Sequence, residues 1–326
     1  MNEALLKKLA KPMIVVATII WGTTFFIMKD TLDHVDTMFL LAFRFTLAAA
    51  ILGLVFWSKW KSLDLRCLWQ GAVLGALMFA AYAVQTYGLR GTTPGKNAFF
   101  TAVYCVIVPF LYWAVDRRSP TRWNVLAAFL CVAGIGLVSW DGGLALTRGD
   151  LLTLLSGFLY ACHIVAVAKF SQERDVFLLT VLQFAVMAAC SWVGVWFTGG
   201  FPWEGLPAQA WWVLVYLAVA ATSLGLLFQN VGQKYTDPSS AALLLALEAP
   251  FGVFFSVLFG AEQPAALMYL GFALIFLAVV CSETQFKFLP FFFEKKKGSE
   301  KRNFKLASDT GSRPKYSGGH ETRRSE

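Results

Sequence analysis

The chain has 326 residues, 57% hydrophobic and 15% charged, with 30 phenylalanines and a mean hydropathy of +0.60. A water-soluble domain carries about 25% charged residues, so this composition excludes a soluble globular protein. The formal net charge of +8 gathers mostly in the C-terminal tail, where basic residues are ordinary for a cytoplasmic membrane face, and it argues for no nucleic-acid partner.

Apolar runs long enough to cross a bilayer core recur along the chain. In order they predict helices over 13–29, 37–57, 69–89, 96–115, 122–140, 150–170, 176–197, 210–231, 238–259 and 264–283. Their connections are short, so consecutive helices are expected to run antiparallel. The opening MNEALLKKLAKP, residues 1–12, meets the first run without a cleavage pattern and reads as a cytoplasmic segment before a retained anchor. From residue 284 the chain turns aromatic, then basic, then polar (FKFLPFFFEKKK onward). This is expected to be a tail near the inner membrane surface and then disordered.

Lysine and arginine set the expected orientation. Lys7, Lys8, Lys11, Lys59, Lys61, Arg66, Arg117, Arg118, Arg122, Lys169, Arg174, Lys234 and the tail fall on one side, against Lys29, Arg90, Lys96 and Arg148 on the other. That bias puts both termini in the cytoplasm of a multi-pass protein of the cell (inner) membrane. Trp57, Trp60, Trp69, Trp113 and Trp123 are expected at the inner interface, and Trp140, Trp196, Trp211 and Trp212 at the outer one. Five of the six cysteines lie in apolar runs without metal-ligand spacing, so no metal or cofactor is indicated.

A shift of 139 residues lays LLAFRFTLAAAILGLVFW over LTVLQFAVMAACSWVGVW, and a shift of 144 matches Gln85/Gln229, Gly88/Gly232 and Pro94/Pro238. Each copy, 13–140 and 150–283, holds five predicted helices. Because five is odd, the second copy must be inserted oppositely. The expected fold is therefore all-α and polytopic, with ten transmembrane helices in two inverted five-helix repeats, an arrangement suited to alternating access.

Polar residues inside the spans are the candidate site. Glu248 is the one carboxylate deep in a span, where desolvation penalises its ionised form and suits it to proton exchange or amine binding. Arg44 lies two turns inside its helix, and its repeat mate is neutral Gln183. It reads as a brace, held by helix-end carbonyls or by Glu248, with substrate-carboxylate binding as the alternative. Asn97, Thr101 and Tyr104 share one helix face, and Tyr104 aligns with Glu248 on the 144 shift. Trp21, Tyr160 and His163 offer aromatic surface and polar handles mid-helix, although a histidine so placed is more often a satisfied packing residue. Gln85 and Gln229 are expected to bond across helices. Gly22, Gly134, Gly136 and Gly157 suit close approaches or bends, and Pro109 and Pro250 are expected to kink helices 4 and 9.

The residues Trp21-Gly22-Thr23, Arg44-Phe45, the stretch from Tyr87 to Pro109 and the stretch from Asp237 to Ser256 together resemble the drug/metabolite transporter superfamily, and within it the EamA-type exporters. The resemblance spans residues 13–283. It implies a cavity among helices 1, 3, 4, 6, 8 and 9, and export of small polar or amphipathic metabolites, amino acids among them. One departure is that Ala249 separates Glu248 from Pro250, whereas the family usually has Glu directly before Pro. The expected partners are a small-molecule metabolite and membrane lipids, with protons as a candidate coupling ion. The sequence carries no Walker A, HExxH or GxSxG pattern, which argues against ATP hydrolysis by that route and against an intramembrane enzyme. A lipid or lipid-linked precursor flippase, or an assembly factor without transport, is the alternative.

Overall fold

The first helix begins well before the apolar run that defines it. In the computed structural model, which describes residues 3–117, 119–138, 146–202, 205–259 and 266–284, α1 runs Glu3–Gly22 with Pro12 inside it. Its polar start is helical because Leu6 and Ala10 are buried. Leu6 packs with Val176, Phe177 and Val231, and Glu3 and Lys7 form an i,i+4 pair at 3.0 Å. After a break at Thr23, α2 continues over Thr24–Thr31.

The remaining helices are α3 (Thr37–Val55), α4 (Leu65–Arg90), α5 (Pro94–Ala102), α6 (Tyr104–Asp116), α7 (Arg122–Val138), α8 (Arg148–Glu173), α9 (Val176–Thr198), α10 (Ala208–Tyr216), α11 (Gly225–Lys234), α12 (Pro238–Leu245), α13 (Glu248–Leu258) and α14 (Ala266–Thr284). A 3₁₀ turn, Trp57–Ser62, follows α3, and a π-helical stretch, Leu217–Leu224, joins α10 to α11. There is no strand among the described residues. Seven segments are long and apolar enough to cross a membrane: α3, α4, α5 with α6, α8, α9, Ala208–Lys234 and Pro238–Phe255. Parts of α7 and α14 are shorter apolar helices. The chain is a multi-pass helical membrane protein. The tail beyond residue 284, Trp140 and Arg118 lie outside the described residues.

Capping recurs along the two copies. Asp36 starts α3 by accepting from the Met38 and Phe39 amides, and Asp175, 139 residues on, starts α9 by accepting from Phe177 and Leu178. Pro94 and Pro238, 144 apart, open α5 and α12 in the first turn, where a missing N–H costs nothing. Both helices then stop short of mid-span, at Val103 and at Ala246–Leu247, and restart at Tyr104 and Glu248. Pro250 stands four residues after Ala246 and cannot bond its carbonyl, which accounts for the second break. Pro109 sits inside α6, and a separate interruption lies six residues earlier, at a tightened turn in which the Val106 amide donates to Val103 O at 3.0 Å.

Packing partners exchange between the copies. α1 lies on α11, and α4 on α8; α1 also meets α12 and α13, as α8 meets α5 and α6; α3 packs on α9. The α3–α9 pair is antiparallel. A Cβ on Gly194 would meet Met38, Phe45 and Phe184 make an edge contact at 5.6 Å, a Cβ on Gly53 would meet Val181, and Phe56 faces Phe177 at 4.7 Å. Glycine is required where α1 crosses α13, because a Cβ on Gly22 would fall 2.6 Å from Phe251 Cβ. On the periphery Trp57, Trp69, Trp113, Trp196, Trp211 and Trp212 are exposed, while Trp60 and Trp123 are half-buried.

Candidate substrate cavity

The break-point residues meet. Tyr104, first in α6, donates from its hydroxyl to Glu248 Oε1, first in α13, at 3.1 Å. From there a line of three tyrosines leads across the interior. Tyr104 faces Tyr160 with ring centroids 6.5 Å apart, Tyr160 faces Tyr82 at 5.3 Å, and the Arg44 guanidinium stands 5.3 Å from the Tyr82 ring. Glu248 and Arg44, 8% and 2% exposed, therefore occupy opposite ends of one aromatic arc. They line the same cavity.

Neighbouring helices fix the walls by polar bonds. Tyr160 Oη donates to Gln85 Oε1 at 2.8 Å, and Gln85 Nε2 donates to Thr101 Oγ1 at 2.9 Å, joining α8, α4 and α5. Asn97 Nδ2 donates to Thr153 Oγ1 at 2.8 Å. Trp21 Nε1 donates to Ala221 O at 2.8 Å, in the π-helical stretch. Trp21, Asn97, Thr101, Tyr104, Tyr160 and Glu248 all line the cavity, together with Gln85, Gln229 and Arg44. Its volume is about 50 Å³, room for a few waters, so a larger solute requires the walls to part.

Several expectations are corrected. Arg44 is bound neither by helix-end carbonyls nor by Glu248. Its Nε donates to Thr222 Oγ1 at 2.8 Å, and Nη1 lies 3.7 Å from the Met28 sulfur. Thr222 faces it because the π-helical stretch tethers that hydroxyl to Leu217 O, five residues back. His163 is outside the cavity and buried, with its Nε2 2.9 Å from Gln183 Oε1. Gln183 shares that dry site. Gln229 bonds along its own helix, donating to Gln233 Oε1 at 3.3 Å, not across helices. Tyr82, Thr24, Met28 and Thr86 line the cavity without having been singled out. Helical spacing could have found all four: Tyr82 lies three residues before Gln85 and four before Thr86, and Thr24 and Met28 lie three and seven residues after Trp21.

The two ends of the bundle differ. At one end Lys29 Nζ donates to Leu89 O, Arg90 O and Thr92 O, at 2.7, 3.1 and 3.1 Å. Arg90 reaches Thr37 Oγ1 and Val35 O, both at 3.0 Å, and Thr92 donates to Asp150 Oδ1 at 2.5 Å. These bonds fasten the ends of α2, α3, α4 and α8. At the other end a vestibule of about 890 Å³ opens, lined by Lys169, Gln172, Gln233, Lys234 and Asp237 among others. One helical turn separates it from the cavity, Ile164 to Ala168 on α8 and Gln229 to Gln233 on α11. Among the described residues no three His, Cys, Asp or Glu side chains gather as a metal site.

Comparison with known proteins follows the same architecture. The sequence model of the EamA-like transporter family matches residues 9–140 and again 147–284. A protein of Archaeoglobus fulgidus, described as an uncharacterized transporter, is 30% identical over 263 residues, 80% of this chain and 82% of its own. The biotin transporter of Escherichia coli is 24% identical over 82% of this chain and 90% of its own. A probable biotin transporter of Pseudomonas aeruginosa is 27% identical over 74% and 86%. A crystal structure of another protein superposes with a TM-score of 0.70 at 16% identity, covering 85% of this chain and 98% of that one, a likeness of fold alone.

Proposed function

Since the chain belongs to the EamA-like transporter family, we propose that it exports small metabolites, amino acids or related amphipathic solutes, across the cytoplasmic membrane by alternating access. Ten spans form two oppositely inserted halves, 13–140 and 150–283, with both termini in the cytoplasm. The antiparallel contact of the equivalent helices α3 and α9 supports that inversion, since a two-fold axis in the membrane plane turns each into the other. The tied end then faces outward and the vestibule inward, so the described conformation is open to the cytoplasm up to a septum one turn thick.

The observation that carries this reading is the cavity itself. It lies between broken helices, is walled by aromatic rings and amides, and holds one cationic and one anionic side chain. Relatives named as biotin transporters add biotin to the solutes worth testing. The test is efflux from proteoliposomes loaded with labelled aromatic and aliphatic amino acids, biotin, nucleosides and organic cations. Saturable efflux of at least one amino acid or amphipathic acid is expected. No flux above protein-free liposomes for any of them would overturn the proposal.

A further inference from the structure

The cavity contains a cation whose needs the protein does not meet. Two basic side chains at the tied end of the bundle find oxygen acceptors. Lys29 reaches three carbonyls, and Arg90 satisfies Nε with Thr37 Oγ1 and Nη2 with Val35 O. Arg44 is more deeply buried than either. It has five N–H donors, yet among the described residues it gives one, Nε, to an oxygen, Thr222 Oγ1. Nη1 is turned to a thioether, a weak acceptor, and Nη2 makes no hydrogen bond among the described residues. No carboxylate lies within ion-pair distance of it among the described residues. A structural brace at membrane depth would not leave its Nη edge in that state, since an unpaired charge there is costly.

Building on the reading of this cavity as a solute site, we propose that Arg44 is a carboxylate receptor: the transported solute carries a carboxylate that docks on the Nη edge of Arg44 while its apolar body lies along Tyr82 and Tyr160. A planar guanidinium fork matches the two oxygens of a carboxylate. Thr222 holds Nε and so aims the fork, and the Tyr82 ring, 5.3 Å from the guanidinium carbon, forms the wall beside it. The charge balance selects a monoanion. Among the described residues Arg44 is the one Lys or Arg lining the cavity, and Glu248 stands at the far end of the arc, so a dianion such as a phosphate monoester would find one positive charge and face one carboxylate.

The test uses the full chain purified in nanodiscs and a matched set of probes, phenylacetate, phenylacetamide and phenyl phosphate, read by thermal stabilisation and by competition for binding. Phenylacetate is expected to bind at least about tenfold more tightly than phenylacetamide, the lower end of what a charge-assisted hydrogen bond contributes. Arg44→Gln should abolish that preference, and Arg44→Lys, which keeps charge without the fork, should retain part of it. Equal binding of acid and amide, a preference that survives Arg44→Gln, tighter binding of phenyl phosphate, or no stabilisation by the acid would each overturn the assignment. If Arg44→Gln does not fold, the wild-type comparison of acid with amide decides alone. Flux of neutral solutes without acid preference would remove the receptor and leave the transporter. Acid-specific binding with no flux of any solute would do the reverse.

Discussion

Arg44 and Gln183 occupy equivalent positions, 139 residues apart, on helices that pack against each other, and they face opposite kinds of surroundings. Arg44 lines a cavity and bonds to a hydroxyl from the π-helical stretch. Gln183 is sealed against His163, with its Nε2 buried and unbonded. A duplicated scaffold needs each helix twice to exchange packing partners, but a solute needs its anchoring group once. On the proposed role of Arg44, the difference separates what serves the bundle from what serves the cargo.

The comparison breaks most visibly if the two residues are made alike. Gln183→Arg would bury a guanidinium in a site whose described polar partner is His163. It should cost about 3–5 kcal/mol and leave no monodisperse protein on detergent gel filtration, whereas Arg44→Gln should elute normally. A well-behaved Gln183→Arg protein would show the two sites to be less different than their contacts imply. A smaller effect is expected at the other end of the tyrosine arc. Glu248→Gln should insert and bind Tyr104 still, through its amide oxygen, but give proteoliposome flux that no longer varies with pH. Wild-type pH dependence in that variant would remove Glu248 from proton or amine exchange.

Thr222→Val sharpens the contrast more gently. It strips Arg44 Nε of its acceptor while leaving the cavity in place, for a loss of about 1–3 kcal/mol in thermal or denaturant unfolding. No loss would mean that Thr222 does not aim the guanidinium. The smallest effect belongs to the dry pair. His163→Leu alone should cost about 1 kcal/mol by orphaning Gln183, and adding Gln183→Leu should restore most of it, since removing both partners of a buried bond is nearly neutral. A double variant that loses the sum of the two single losses would show that the pair is not coupled.

Much of this was readable from sequence because a bilayer is a strict solvent. Apolar length marks segments able to cross, seven of them among the described residues, and a polar residue inside an apolar run stands out at once, as Arg44, Gln85, Gln183 and Glu248 do. The 144-residue alignment of Tyr104 with Glu248 put both at one depth, and they bond. What could not be read was the neighbour. Helical periodicity assigns a face but not what arrives on it, so the cavity for Arg44 and the imidazole for Gln183 were indistinguishable in advance. Thr222 carries a hydroxyl that looks like a packing residue within an apolar run. The turn of Thr222 toward Arg44 also depends on a five-residue backbone reach that no 3.6-residue pattern encodes. The break near Val103 has no proline or glycine of its own to announce it and lies six residues before Pro109, the visible signal in that span.

The single hydrogen bond between Tyr104 and Glu248 joins the first residues of two half-helices, one from each copy. On the proposed reading of the cavity, an ammonium or a proton that engages Oε1 competes with the Tyr104 hydroxyl, so the one junction at which the two half-helix starts touch is also the place where cargo would be noticed.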